Sequence, residues 1–207
     1  MHRQGIKNFP YYLGIRSLAD IATPADRVCV LNIMGGESRQ VTPVSHAFSD
    51  GNVVFGTSPG RAGQMLKTPV GDIPVFNNVR EGLDAGHAFN TGVVYLPPSG
   101  VRDGVAELIR VNPDLEKIVI ITEKIAIHDA REIRAMAQAN GVDIIGGNCL
   151  GVADSWNRVR IGGALGGDHP EESLIKGSVA IFSNSGGFTT TIAQYLATAG
   201  WGTTTLI

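Results

Sequence analysis

The residues best suited to chemistry in this sequence sit where an apolar run gives way to a turn. Met34-Gly35-Gly36-Glu37-Ser38 joins such a run to a helical stretch. A glycine-rich turn into a helix N-terminus presents unpaired N–H groups and the positive end of a dipole, which suits a phosphate. Taken alone it is equally a plain strand-to-helix turn. Gly56-Thr57-Ser58-Pro59-Gly60-Arg61-Ala62-Gly63 sets one arginine among small residues. Its guanidinium fork can reach an anion unobstructed, or lie in solvent. Tyr95-Leu96-Pro97-Pro98-Ser99 places two prolines at a strand end. Proline cannot donate to a ladder, so the pair makes a rigid apolar wall or simply a stiff loop. Thr122 and Glu123 close a fourth run. Asn148, after Gly146-Gly147, can both donate and accept hydrogen bonds, or stabilise its own turn. Ser183-Asn184-Ser185-Gly186-Gly187 opens a last helix.

Positioning these residues requires an alternation of strands and helices. Strands are predicted over 28–34, 52–58, 74–76, 91–99, 117–125 and 142–148. Helices are predicted from Gly36 to about Phe48, from about 77 to 86, from 101 to 112 and over 128–140. The last of these ends at Gly141 as a C-cap should. Strands apolar on both faces, alternating with helices, argue an α/β fold: a Rossmann-like, doubly wound parallel sheet covered by helices on both sides. Ligands in such folds bind at the carboxyl ends of the strands, where nearly all of these turns fall. Residues 153–173, rich in glycine and charge, read as an irregular connection. From Lys176 a strand, the Ser-Asn-Ser-Gly-Gly turn, a helix and a strand begin afresh, the opening βαβ of a second α/β domain. One βαβ unit cannot bury both faces of its sheet, so the sequence is expected to be a fragment or to need chain from elsewhere.

Composition narrows the class. At 43% apolar and 17% charged, the 207 residues suit a globular chain and not a disordered one. A net charge of −2 without a basic run does not point to a nucleic-acid partner. No apolar run approaches the roughly 20 residues of a membrane helix, and the N-terminus lacks the pattern of a secretory signal. Cys29 and Cys149 are no disulfide framework; reduced thiols in the cytoplasm are expected. The first turn is not GxGxxG and has no Walker lysine. Thr57 and Ser58, not an acid, end the second strand, which counts against a nicotinamide-dependent oxidoreductase. Five histidines are present. His87, in Gly-His-Ala, precedes a strand and is expected away from the strand carboxyl ends.

In order and spacing, residues 26 to 207 closely resemble the α-type subunit of succinyl-CoA synthetase and the related ATP-citrate lyases. That pattern runs as a Gly-rich turn, T-P-G-K-G-G, P-V-F-x-x-V-x-E-A, V-I-Y-V-P-x-P, I-T-E-G-I, G-P-N-x-x-G and G-x-V-G-I-V-S-R-S-G. The resemblance implies an N-terminal extension over 1–25 and a CoA-binding Rossmann-like domain over 26–152. A linker over 153–175 and the incomplete start of a flavodoxin-like ligase domain over 176–207 follow. It implies that Gly35, Gly36, Glu37 and Ser38 form the first CoA loop. Arg61, beside Ser58 and Pro59, stands where the family has a lysine facing CoA phosphate. Pro97, Pro98, Thr122 and Glu123 line the CoA, and Asn148 lies near its thiol-bearing arm. Ser183, Ser185, Gly186 and Gly187 face a phosphoryl group or acid. No metal ligand is implied in this chain.

The activity implied is ATP-dependent, NDP-forming formation of a CoA thioester through a phosphohistidine and an acyl phosphate. ATP and Mg2+ enter through an ATP-grasp subunit or domain in a hetero-oligomer. The phosphohistidine falls outside these residues, so the fragment is expected to bind CoA without turnover. Departures are Asn184 for the family arginine, Gly147 for proline, and Phe188-Thr189-Thr190-Thr191 without the usual acid. Gly187 matches the citrate-handling branch, which favours citrate over succinate as the acid. A stand-alone, non-catalytic CoA-binding module is the alternative; the second βα unit argues for the ligase.

Overall fold

The structure, a computed structural model, describes residues 20–207. The first nineteen residues of the expected extension, His2 among them, lie outside the described residues. The first part of the chain runs β1 (Val28–Leu31), α1 (Gly36–Phe48), β2 (Val53–Thr57), β3 (Met65–Leu66), β4 (Ile73–Phe76), α2 (Val79–Asp84) and β5 (Thr91–Val94). It continues with α3 (Val101–Val111), β6 (Lys117–Ile120), α4 (Ile127–Asn140) and β7 (Asp143–Gly146). The strands form one sheet in the order β3-β4-β2-β1-β5-β6-β7. All neighbours are parallel except the short β3–β4 pair. Chain order reverses between β1 and β5, the switch point at which such sheets open a crevice.

The strands stop sooner than their apolar runs. β1 ends at Asn32, whose left-handed backbone (φ 63°) turns the chain out of the ladder. Its side-chain amide then donates to the Tyr95 carbonyl at 3.0 Å. After β6, the Thr122 hydroxyl donates to the Leu96 carbonyl at 2.7 Å. The loops after β1, β5 and β6 are thereby tied together. Helix ends follow local chemistry: Asn78 caps α2 by accepting from the Glu81 N–H at 3.0 Å, and Glu81 accepts from the Asn77 N–H at 2.9 Å. Gly141 closes α4 in the left-handed conformation.

Successive strand residues face opposite sides. Cys29 and Leu31 pack with Val79 of α2, Val105 and Leu108 of α3, and Ile133 of α4. Val28 and Val30 pack instead with Val152, Val159 and Ile161. The expectation of an irregular connection over 153–173 is therefore corrected. β8 (Val152–Asp154) and β9 (Val159–Ile161) form an antiparallel hairpin, followed by the short helix α5 (Pro170–Ser173). The charge of this segment is partly inside, since Arg160 is only 1% exposed. Helices alone do not cover the second face either: the hairpin lies over it, with α1 packed against β9.

β10 (Lys176–Ile181), α6 (Gly186–Thr198) and β11 (Thr203–Leu206) form the expected parallel βαβ unit. β11 also pairs antiparallel with β8, giving a four-stranded sheet in the order β10-β11-β8-β9. At the amino ends of the first sheet, Lys117 and Asp26 form a buried ion pair at 2.7 Å. Lys117 also donates to the Ile21 carbonyl at 3.0 Å, and the Thr91 hydroxyl donates to Asp26 at 2.9 Å. Such a pair is tolerated because its remaining donors and acceptors are satisfied. Among the described residues, no helix is long and apolar enough to cross a membrane.

Candidate functional site

The first turn of α1 and the loops after β5, β6 and β7 enclose a cavity of about 340 Å³ at the strand carboxyl ends. Five of the residues singled out from the sequence line it: Glu37, Pro98, Thr122, Glu123 and Asn148. The Asn148 N–H donates to the Thr122 carbonyl at 3.0 Å, which locks the β6 and β7 loops together. Tyr95, Lys124, Cys149 and Leu150 also line the cavity and had not been assigned to it. The aromatic and the thiol stand inside motifs already noted, so their place in the sequence was the available signal. The Tyr95 hydroxyl donates to the Gly162 carbonyl at 3.0 Å. Burial, and next the Glu37 carboxylate, push its phenol well above the usual range, so it stays a donor at neutral pH. Burial also raises the Cys149 thiol, which rests near the Ile120 carbonyl at 3.3 Å and is not poised as a thiolate.

Other expected residues stand beside the cavity. Gly35 caps α1 without any side-chain hydrogen bond, and a Cβ there would lie 2.7 Å from Asn32 Nδ2. A Cβ on Gly36 would meet nothing within 4 Å. The turn is therefore packed on one side and open on the other, where a ligand's anion can reach the helix N-terminus. Ser38 and Ser58 are buried braces: the Ser38 hydroxyl donates to the Asn32 carbonyl, and Ser58 Oγ accepts from the Met34 N–H at 3.1 Å. Pro59 and Arg61 are exposed on the loop after β2, off the cavity wall, and Pro97 is exposed next to Pro98.

The last turn reaches the same place from the second sheet. Ser185 caps α6, accepting from the Phe188 N–H at 3.4 Å, and Ser183 Oγ accepts from the Ser185 N–H at 3.0 Å. A Cβ on Gly186 would lie 2.4 Å from Leu150 Cγ, so the start of α6 rests directly on a residue of the cavity wall. Gly187 is exposed, with nothing within 4 Å of an added Cβ.

The histidines lie elsewhere. His87 sits between α2 and β5, its ring 5.5 Å from that of Phe76 and 6.0 Å from that of Phe55. His128 and His169 are exposed beside Asp129 and Glu171. Buried His46 accepts from the Val53 N–H. Another cavity, about 310 Å³ between α4 and the β6–β7 edge, is lined mainly by aliphatic residues such as Ile133 and Val142. It offers few polar groups to orient a ligand. Among the described residues, no cluster of three His, Cys, Asp or Glu could hold a metal ion.

This arrangement of turns matches known proteins. A family profile described as a CoA binding domain matches residues 33–124, the stretch that runs from the first turn through Lys124. The ADP-forming sulfoacetate-CoA ligase subunit SqwL of an Acholeplasma species is 31% identical over 185 residues, covering 87% of this chain. The chain belongs to the superfamily of succinate–CoA ligase α subunits. The α subunit of the ADP-forming succinate–CoA ligase of Methanothermobacter thermautotrophicus is 30% identical over 155 residues, 75% of the chain. The chain spans 57% of the first relative's length and 48% of the second's. In fold it resembles the ATP citrate lyase of Methanothrix soehngenii, solved with citrate and coenzyme A. The TM-score is 0.75 at 15% identity, over 92% of this chain and 32% of that one.

Proposed function

We propose that this chain is the CoA-binding part of an α-type subunit of an ADP-forming acid–CoA ligase. The observation that carries the reading is the contact of Gly186 with Leu150, which sets the N-terminus of α6 against the wall of the strand-end cavity. A pure CoA-binding module has no use for that second helix N-terminus; a ligase needs it, because the acyl phosphate must meet the CoA thiol.

In this reading residues 26–152 hold CoA, and residues 176–207 open the ligase domain. CoA phosphates bind at the turn of Gly35, Gly36 and Glu37, which Ser38 and Ser58 brace from behind, and Arg61 closes over them with Pro59. The arm runs past Pro97, Pro98, Thr122 and Glu123, and the thiol points toward Asn148. The acyl phosphate sits on the bare N–H groups of Gly186 and Gly187, flanked by Ser183 and Ser185. ATP and Mg2+ belong to an ATP-grasp partner in a hetero-oligomer of the cytoplasm. A phosphoryl-carrying histidine is assigned to sequence other than these residues, since His87 lies by the amino end of β5. The acid is a small one bearing more than one negative charge. Gly187 favours citrate, because no packing contact explains a glycine there. The names of the relatives, with sulfoacetate and succinate, support the broader class.

Isothermal titration of the protein with CoA, with NAD as control, tests the reading. Saturable CoA binding and none of NAD is the expected result; NAD binding in place of CoA would overturn it.

A further inference from the structure

Lys124 occupies the cavity against the preference of its own backbone. Its φ is 56°, in the left-handed region that favours glycine. Asn32 and Asn148 adopt the same conformation at neighbouring strand ends, but a short amide side chain can bond locally to offset the cost. A lysine cannot, and residues held in this way cluster at ligand sites. Two residues before it the chain is anchored: the Thr122 hydroxyl is bonded to Leu96, and the Thr122 carbonyl accepts from the Asn148 N–H.

Charge gives the strained lysine a use. Among the described residues, Lys124 is the one basic residue lining the cavity, where Glu37 and Glu123 also stand. It is exposed and forms an ion pair with neither carboxylate nor with any other described residue. Two carboxylates and no paired cation would repel an anionic ligand, unless the free ammonium receives it. Arg61, the other cation of the proposed site, lies off this wall.

We propose that Lys124 is a specificity-determining residue that receives an oxyanion of the bound ligand. This rests on the CoA-ligase reading. The oxyanion comes from a phosphate of CoA or from the carboxylate of the acid, and the two sources are separable.

The test is calorimetric titration of the wild type, Lys124→Gly and Lys124→Arg with CoA, with pantetheine, which lacks the phosphates, and with citrate in the presence of CoA. Glycine suits the backbone at 124, so Lys124→Gly should melt no lower than the wild type. The expected result is a fall of about tenfold or more in CoA affinity for Lys124→Gly, recovery in Lys124→Arg, and unchanged pantetheine binding. Unchanged CoA affinity with weakened citrate binding would support the inference with the acid as the source. Unchanged affinity for both in Lys124→Gly overturns it. Failure of the wild type itself to bind CoA would overturn the underlying reading, and the inference with it.

Discussion

Gly186 and Gly187 stand side by side at the start of α6, and only one of them is required by packing. A Cβ at 186 would collide with the Leu150 side chain, whereas at 187 it would enter open space. Gly186→Ala is therefore expected to cost about 1–3 kcal/mol through overpacking. Gly187→Ala should leave stability unchanged or raise it by up to about 1 kcal/mol, because alanine is the better helix former. Urea unfolding of the two variants separates these outcomes. A clear loss at 187 would show a backbone need there and remove the support for a citrate-sized acid. The same contrast runs through the hydroxyls. Ser38 and Ser58 read in the sequence as ligand groups beside glycine-rich turns, yet both are spent on bracing the β1 turn. A serine beside a turn bonds its own backbone as readily as a ligand, and nothing in its local sequence tells the two apart.

At the level of elements, α1 and β2 are joined through a histidine that must stay neutral. His46 Nδ1 accepts from the Val53 N–H at 3.0 Å, which a protonated ring could not do. Burial, and next the charge of Arg27, hold its pKa below the ordinary 6.5. The unfolded chain thus takes up a proton before the folded one does. The contribution of this group is fully present above pH 6.5 and is lost as pH falls through the depressed folded value. Unfolding free energy is expected to decline as pH falls below 6.5, with a shallower decline in His46→Gln. Equal slopes in the two proteins would count against the role assigned to His46. The helix itself buries mostly polar side chains, Ser38, Thr42, Ser45 and His46, with Phe48 at its end. Its position was legible from the glycine turn before it, not from a hydrophobic stripe.

Across the whole molecule, Arg160 ties the two sheets into one body. Its Nε donates to Ser45 Oγ at 2.9 Å, and Nη1 donates to the carbonyls of Leu165 at 3.1 Å and Gly167 at 2.6 Å. The Asn52 amide and the Ser49 hydroxyl donate to its carbonyl. Burial lowers the guanidinium pKa to about 10, so it remains charged at neutral pH, held by dipoles and not by a salt-bridged carboxylate. Arg160→Ala would leave those acceptors unpaired beside a void. A loss of about 3 kcal/mol or more is expected. Trp156 and Trp201 follow β8 and precede β11, so tryptophan fluorescence reports the second sheet. It should unfold before the far-ultraviolet circular dichroism of the whole chain in this variant. Coincident transitions at wild-type stability would refute the tie.

The sequence by itself determined the alternation of strands and helices, the turns between them and the resemblance carried by their order. Each of these is set within a few residues, by periodicity, glycine and proline, and motif spacing. Tertiary structure alone decided which turns share a cavity, because Glu37 comes from the first turn of α1 and Tyr95, Thr122 and Asn148 from three separate loops. It also decided that 153–173 holds a hairpin. Three-residue strands carry almost no period, and one of the partners that hold Arg160 inside, Ser45, lies 115 positions away in the sequence. The left-handed backbone of Lys124 was likewise invisible, since a positive φ leaves no mark on the residue type itself.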